Sequence, residues 1–209
     1  MRNALILGLV VSLATTAMGQ VSVAKAEDKK PPKLPSCFIM GSPIYFTVKA
    51  DTPEGPVYFC CDGCFEPFEK GKESGKWKDH IEAQRVALAK LPKVQTACPI
   101  SGNPVSADAP SIDHKGTKVA FCCGGCKGKF EAEPAKYTGK LAGAFTYQTK
   151  CPISGNPIDP AASVELVSGD KVYACCNGCA GKIKAEPSKY AKALAKQGYY
   201  FKKDQLKAK

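Results

Sequence analysis

One cysteine pattern recurs three times along the chain, and it limits what the chain can fold into. A lone cysteine is followed, after 22 or 23 residues, by a Cys-Cys-x-Gly-Cys block. The first set is Cys37 with Cys60, Cys61 and Cys64; the second is Cys98 with Cys122, Cys123 and Cys126; the third is Cys151 with Cys175, Cys176 and Cys179. These sets account for all 12 cysteines of the 209 residues. Length alone suggests one or two ordinary domains. Modules this short bury too little apolar surface to stand on a core alone, and they rely on cross-links or metals. Several stapled modules are therefore expected, not one large core.

The repeat extends beyond the cysteines. Copies two and three align without a gap: Cys-Pro-Ile-Ser-Gly-Asn-Pro opens each, and Val119-Ala120-Phe121 and Val172-Tyr173-Ala174 lead into the cysteine blocks. Gly-Lys, Ala-Glu-Pro and Lys-Tyr then follow in both, ending at Tyr137 and Tyr190. The first copy is more diverged. Cys37-Phe38-Ile39-Met40-Gly41-Ser42-Pro43 stands for the opening motif, Phe68 stands where Phe130 and Ile183 do, and a small insertion sets Lys76-Trp77 opposite the Lys-Tyr pairs. Met40 replaces a serine. Packing is its expected role, and a soft thioether ligand leaning towards Cu(I) is the alternative.

Each copy reads as a small α+β unit, ββα in order. The opening motif clusters Pro, Ser, Gly and Asn and predicts a turn. Two short extended runs follow around a polar or glycine turn: 44–49 with 56–60, 111–114 with 117–121, and 163–167 with 171–174. Short helices are expected over 126–133 and 179–186, stopping near Pro134 and Pro187. A further helix is expected over 77–91, between copies one and two, and another at the start of the Lys- and Tyr-rich tail.

The chemistry favoured by this pattern is metal binding. Thiolate suits Zn, Cu(I) and other soft metals. A tight turn brings two sulfurs onto one ion, and a hairpin delivers further ligands from a distant segment. All twelve cysteines are candidate ligands. The glycine before each last cysteine (Gly63, Gly125, Gly178) is expected to let the backbone turn sharply. The helix start at each last cysteine is expected to lower its pKa. Lys127, Lys129, Lys182 and Lys184 would offset cluster charge, whereas copy one carries Glu66 and Glu69 in this region. Neighbours on an extended strand point to opposite faces. The second cysteine of each pair therefore joins a site only if the chain has left strand geometry, and otherwise it packs as a small apolar residue.

A lone Cys, a hairpin of this length, then Cys-x3-Cys and an aromatic-bearing helix resemble the TRASH and YHS domains. The resemblance runs from Cys37 to about Tyr190, three times over. It implies three tandem treble-clef-like ββα modules associated with heavy-metal trafficking, resistance and sensing. Carried over by position, it implies ligands at Cys37, Cys60 and Cys64, at Cys98, Cys122 and Cys126, and at Cys151, Cys175 and Cys179. Cys61, Cys123 and Cys176 depart from it, standing where that family often has Ser.

The N-terminus reads as an export signal, with Arg2, an apolar run over 4–17 and Ala24-Lys25-Ala26 as a cleavage site. The apolar run is short for a membrane span, so no transmembrane segment is expected after cleavage, and a periplasmic or secreted location follows. The expected division is a signal peptide (1–26), a flexible lead-in (27–35), repeats at 36–77, 97–145 and 150–198, a helical linker (78–96) and a basic tail (199–209). The formal net charge of +11 is ordinarily a solvated face. Metal ions are the expected partners, another envelope protein is a second candidate, and nucleic acid is not expected for an exported chain.

No enzymatic role is expected: His80 and His114 occupy no equivalent repeat positions, and no acidic pair recurs. The competing account is a disulfide-stapled or structurally zinc-stabilised scaffold serving as a protein-interaction adaptor. An exported chain permits disulfides.

Overall fold

The computed structural model describes residues 33–209, Ala107 excepted. The expected signal peptide and most of the lead-in lie outside the described residues. The rest is mixed α/β, built from two-stranded antiparallel sheets and short helices.

Each opening motif closes as the same turn. The backbone N–H of Gly41, Gly102 and Gly155 donates to the carbonyl of Cys37, Cys98 and Cys151 at 2.7, 2.8 and 2.9 Å. All three glycines sit at φ between +74° and +77°, a region L-residues rarely adopt. The diverged first copy keeps this glycine because the turn demands it. The hairpins follow as expected: β1 (Tyr45–Ala50) with β2 (Val57–Phe59), β4 (Ser111–His114) with β5 (Thr117–Ala120), and β7 (Asp159–Glu165) with β8 (Lys171–Ala174). Helices α1 (Phe65–Lys72), α3 (Gly124–Ala132) and α5 (Asn177–Ala185) come next, the first entered through a 3-10 turn at Asp62–Cys64.

As expected, α3 and α5 stop just before Pro134 and Pro187, at Ala132 and Ala185. The same prolines then open a further segment: Pro134 begins α4 (Pro134–Gly143), and Pro187 begins a 3-10 turn leading into α6 (Ala191–Ala195). Proline suits a first helical position, where its missing N–H has no partner to lose. In copy one, α2 (Lys78–Ala89) stands at the corresponding place. Each repeat is therefore a hairpin followed by two helical segments, not ββα alone.

A two-stranded hairpin leaves the outer edge of its second strand without backbone partners. One glutamine meets that need in each copy. Gln95 Oε1 accepts from Ala120 N at 2.7 Å and its Nε2 donates to Ala120 O at 2.6 Å. Gln148 does the same for Tyr173 at 2.9 and 2.7 Å, and Gln84 for Tyr58 at 2.9 Å in both directions. Gln95 and Gln148 lie three residues before the opening cysteine. Leu34 stands there in copy one, and Gln84 reaches the strand from α2 instead. Tyr58, Ala120 and Tyr173 are equivalent positions, so the clamp is conserved in geometry while its source changes.

The copies are not independent beads. Copies one and three share a single core that includes Phe46, Tyr58, Leu88, Leu166, Val172, Leu194 and Phe201. Phe46 stacks on Tyr147 at 4.4 Å and donates its backbone N–H to Gly198 O at 2.8 Å. Gly198 has φ +85°, and an added Cβ there would meet Leu34 and the Phe46 ring at 2.9 Å. Copy two keeps its own core of Cys98, Val105, Val119, Phe121 and Phe130. It is tied in by β3 (Val94–Gln95) pairing with β6 (Phe145–Thr146). The hydroxyl of buried Tyr199 accepts from Tyr147 N and Gln148 N at 3.0 and 2.9 Å.

The segment expected to be a basic tail folds back. Phe201 and Leu206 are buried, Ala208 bridges Leu166, and Lys202 pairs with Asp62 of copy one. Among the described residues no helix is long and apolar enough to cross a membrane.

Gln148 is fully buried, so Gln148→Leu strands the N–H and C=O of Tyr173 without partners. Unpaired buried groups cost about 1–3 kcal/mol each, so a loss of about 2–6 kcal/mol is expected in urea unfolding. An unchanged midpoint would show that the clamp contributes nothing.

Candidate metal centres

Each centre is assembled from three pieces of chain. The opening turn brings one buried cysteine, the chain just past the second strand brings the Cys-Cys pair, and the helix start brings the last cysteine. The sulfurs of Cys37, Cys60 and Cys64 lie within 4.8 Å of one another, as do those of Cys98, Cys122 and Cys126 and those of Cys151, Cys175 and Cys179. In copy one, Cys64 Sγ is 3.6 Å from Cys37 Sγ and 3.7 Å from Cys60 Sγ. The matching pairs Cys122–Cys126 and Cys175–Cys179 are 3.7 and 3.8 Å apart. A tetrahedral ion with metal–sulfur bonds of ~2.3 Å places its ligands ~3.8 Å apart. A disulfide needs ~2.05 Å, and all twelve cysteines are unbridged. The three triads are placed to hold metal ions.

The second cysteine of each pair stands beside the triad. Cys61 Sγ is 3.8 Å from Cys64 and 4.0 Å from Cys60, and Cys176 Sγ is 3.9 Å from Cys175. The strands end before the pairs, at Phe59, Ala120 and Ala174, so neighbouring sulfurs can lie on one side. These second cysteines do not pack as small apolar residues. Cys61, Cys123 and Cys176 are exposed. Each occupies the N-cap of the helical segment that follows, with φ between −160° and −167°.

That placement changes which thiols ionise. In copies two and three, the cap cysteines Cys123 and Cys176 are held below the ordinary thiol value. The causes, in order, are the backbone N–H and then the thiol of the last cysteine (Cys126 or Cys179), followed by the thiol of Cys122 or Cys175. The last cysteines go the other way, against the expectation from the helix start. Burial, followed by the neighbouring thiols, pushes Cys126 and Cys179 up to about 12. The helix N–H groups serve the cap sulfur, leaving the last cysteine without that support.

The opening cysteines are the acidic ones. Burial pushes the Cys98 thiol up, but the N–H of Ser101 and Cys122, the Ser101 hydroxyl and the N–H of Ile100 outweigh it and bring it to about 6. Cys151 is likewise brought to about 6 against burial by the N–H of Ser154, Ile153 and Cys175 and by the Ser154 hydroxyl. Hydrogen bonds to the charged form are what favour it. The serine hydroxyls also lie 3.2 Å from the next sulfur, Cys122 or Cys175. Sequence reasoning passed over these serines, although they recur at the same place in both opening motifs.

Copy one differs at this position. Met40 is 62% exposed and does not fill a core. Its Sδ lies 3.6 Å from Cys61 Sγ.

One further expectation falls away. Gly63, Gly125 and Gly178 have no left-handed backbone, and an added Cβ would meet the cap sulfur at ordinary contact distances of 3.8–4.0 Å. They leave space beside that sulfur and do not make the turn. His80 stacks on Phe38 and His114 meets the edge of Phe130, so both rings are engaged with aromatic partners.

In the metal-free protein, thiolate ultraviolet absorbance should rise near pH 6 as Cys98 and Cys151 ionise, well below the ordinary thiol value of ~8.5. A lowered folded-state pKa stabilises the fold fully above the unfolded value. That contribution fades as pH falls towards 6, so the metal-free form should melt lower in mild acid. Ser101→Ala and Ser154→Ala should move the absorbance step upward. A first rise only at the ordinary thiol value would refute the assignment.

No protein-family model, curated protein or solved structure matches this chain, and what it is rests on its own geometry: a mixed α/β chain with three cysteine triads placed to hold metal ions.

Proposed function

We propose that this chain is an exported protein that coordinates soft metal ions (Zn, Cu(I) or another heavy metal) through its three cysteine clusters, in trafficking, buffering or resistance. The observation that carries this reading is the threefold placement of sulfurs at ligand spacing, with Sγ–Sγ distances of 3.6–3.8 Å within the triads. All twelve cysteines are assigned to the sites. The triads form the inner set, and Cys61, Cys123 and Cys176 supply the outer sulfur.

The exposure of that outer sulfur favours exchange over a purely structural ion, because a closed structural site keeps its ligands away from incoming acceptors. Export is supported by Arg2, the apolar run over 4–17 and the Ala24-Lys25-Ala26 site. The TRASH/YHS likeness and its treble-clef-like module are supported by the order of turn, hairpin, cysteine block and helix in each copy. No catalytic group is assigned.

Elemental analysis with a thiol count, on protein purified without added metal, tests the reading. About one soft ion per cluster is expected, with thiols that react freely only after chelation. No metal, together with no reactive thiols after chelation, would instead support a disulfide-stapled adaptor. Cys126→Ser should empty the second site and leave the other two filled, since copy two has a separate core. Cys179→Ser should loosen copies one and three together in hydrogen exchange, because they share theirs.

A further inference from the structure

The three opening turns share one backbone but differ in the side chain that each presents to the sulfurs. In copies two and three this residue is Ser101 or Ser154, a hydroxyl 3.2 Å from the first sulfur of the Cys-Cys pair. In copy one it is Met40, whose thioether stands 3.6 Å from Cys61, the exposed second sulfur of the pair. With 62% of its surface exposed, Met40 buries little apolar area and gains little from packing. A hydroxyl stabilises thiolate by donating a hydrogen bond, whereas a thioether is itself a soft, neutral donor that selects Cu(I) over harder ions.

Resting on the metal-binding reading above, we infer that copy one is a distinct Cu(I)-class site, in which Met40 Sδ and Cys61 Sγ form an outward-facing thioether–thiolate arm on the Cys37, Cys60 and Cys64 triad. Copies two and three remain sites of cysteine sulfur with serine support.

Three features of the protein converge on this arm. Cys61 Sγ bridges the two halves, 3.8 Å from Cys64 on one side and 3.6 Å from Met40 on the other. Both spacings suit sulfurs sharing an ion at bond lengths of ~2.3 Å. The chain after Cys61 carries Asp62, Glu66 and Glu69, each with a lysine partner (Lys202, Lys70 and Lys72), whereas copies two and three carry Lys127 and Lys129 or Lys182 and Lys184 in the same region. A neutral thioether adds a ligand there without adding negative charge. The arm also lies at the surface, where an acceptor's sulfur can replace Met40 first, which suits an exchange site for a monovalent soft ion.

Met40→Ser, made in the full chain, is the decisive variant, and its exposed position leaves the core untouched. Methionine-methyl NMR under anaerobic conditions follows Met40 directly, its resonance assigned by loss in the variant. One equivalent of Cu(I) should shift that resonance, and Zn should leave it in place. In competition with a Cu(I) chelator, Met40→Ser should weaken the tightest Cu(I) step by about tenfold or more, with Zn affinity and melting temperature unchanged. Cu(I) uptake with a motionless methyl resonance and an unaltered affinity would overturn the inference while leaving the metal-binding reading intact. Failure of both proteins to take up Cu(I) or Zn would overturn both.

Discussion

Sulfurs from three separate pieces of chain meet at one point in each repeat, and in copy two little else holds those pieces together. Copy two shows the constraint most plainly. Its buried core is Cys98, Val105, Val119, Phe121 and Phe130, a set in which one of the cluster's own cysteines counts as core. So small a core cannot by itself offset the entropy of ordering a turn, a hairpin and two helices. The turn supplies its cysteine already ionised, through backbone N–H groups and a serine hydroxyl. The last cysteine stays protonated until something replaces its proton. A site partly charged in advance in this way would be completed by a bound ion, and metal uptake would then be coupled to folding.

Around these centres the protein manages the edges of three very short hairpins. Each exposes a row of backbone groups, and a glutamine amide, using a donor and an acceptor, imitates a third strand at one residue of the second strand. Copy one lacks the glutamine before its opening cysteine and takes Gln84 from a helix instead. The need for a partner at Tyr58 is fixed by the hairpin, while the chain segment that meets it is free to change.

The shared core of copies one and three gives the array an asymmetry that its sequence symmetry hides. Phe46, Tyr147 and Tyr199 pack across the two copies, and the C-terminal segment crosses back to pair Lys202 with Asp62 beside the first cysteine block. The first and third copies share one core, while the second has its own, its two ends closed by the β3–β6 pairing and met from copy three by Tyr173 and Tyr199. Divergence in copy one, including Met40, is therefore carried on a frame stabilised by copy three.

The linear pattern by itself determined the number of repeats, the opening turns, the hairpins and the cysteines that meet in each triad, because each of these is local: spacing, alternation and turn-forming residues are visible within a few positions. It stopped the helices at Pro134 and Pro187 but did not show that each proline also opens a further helical segment, since a proline that ends one helix and a proline that opens the next look alike in a string. It assigned the helix-start effect to Cys126 and Cys179, because only three-dimensional geometry reveals that Cys123 and Cys176 take the N-cap. Tertiary structure alone decided that copies one and three share a core, that the tail folds back, that Gln84, Gln95 and Gln148 hold the strand edges, and that Met40 faces a sulfur and not a core. Those outcomes depend on contacts between residues far apart in the chain, such as Phe46 with Tyr199 and Gln84 with Tyr58, and local sequence carries no record of which distant surface will be there to meet it.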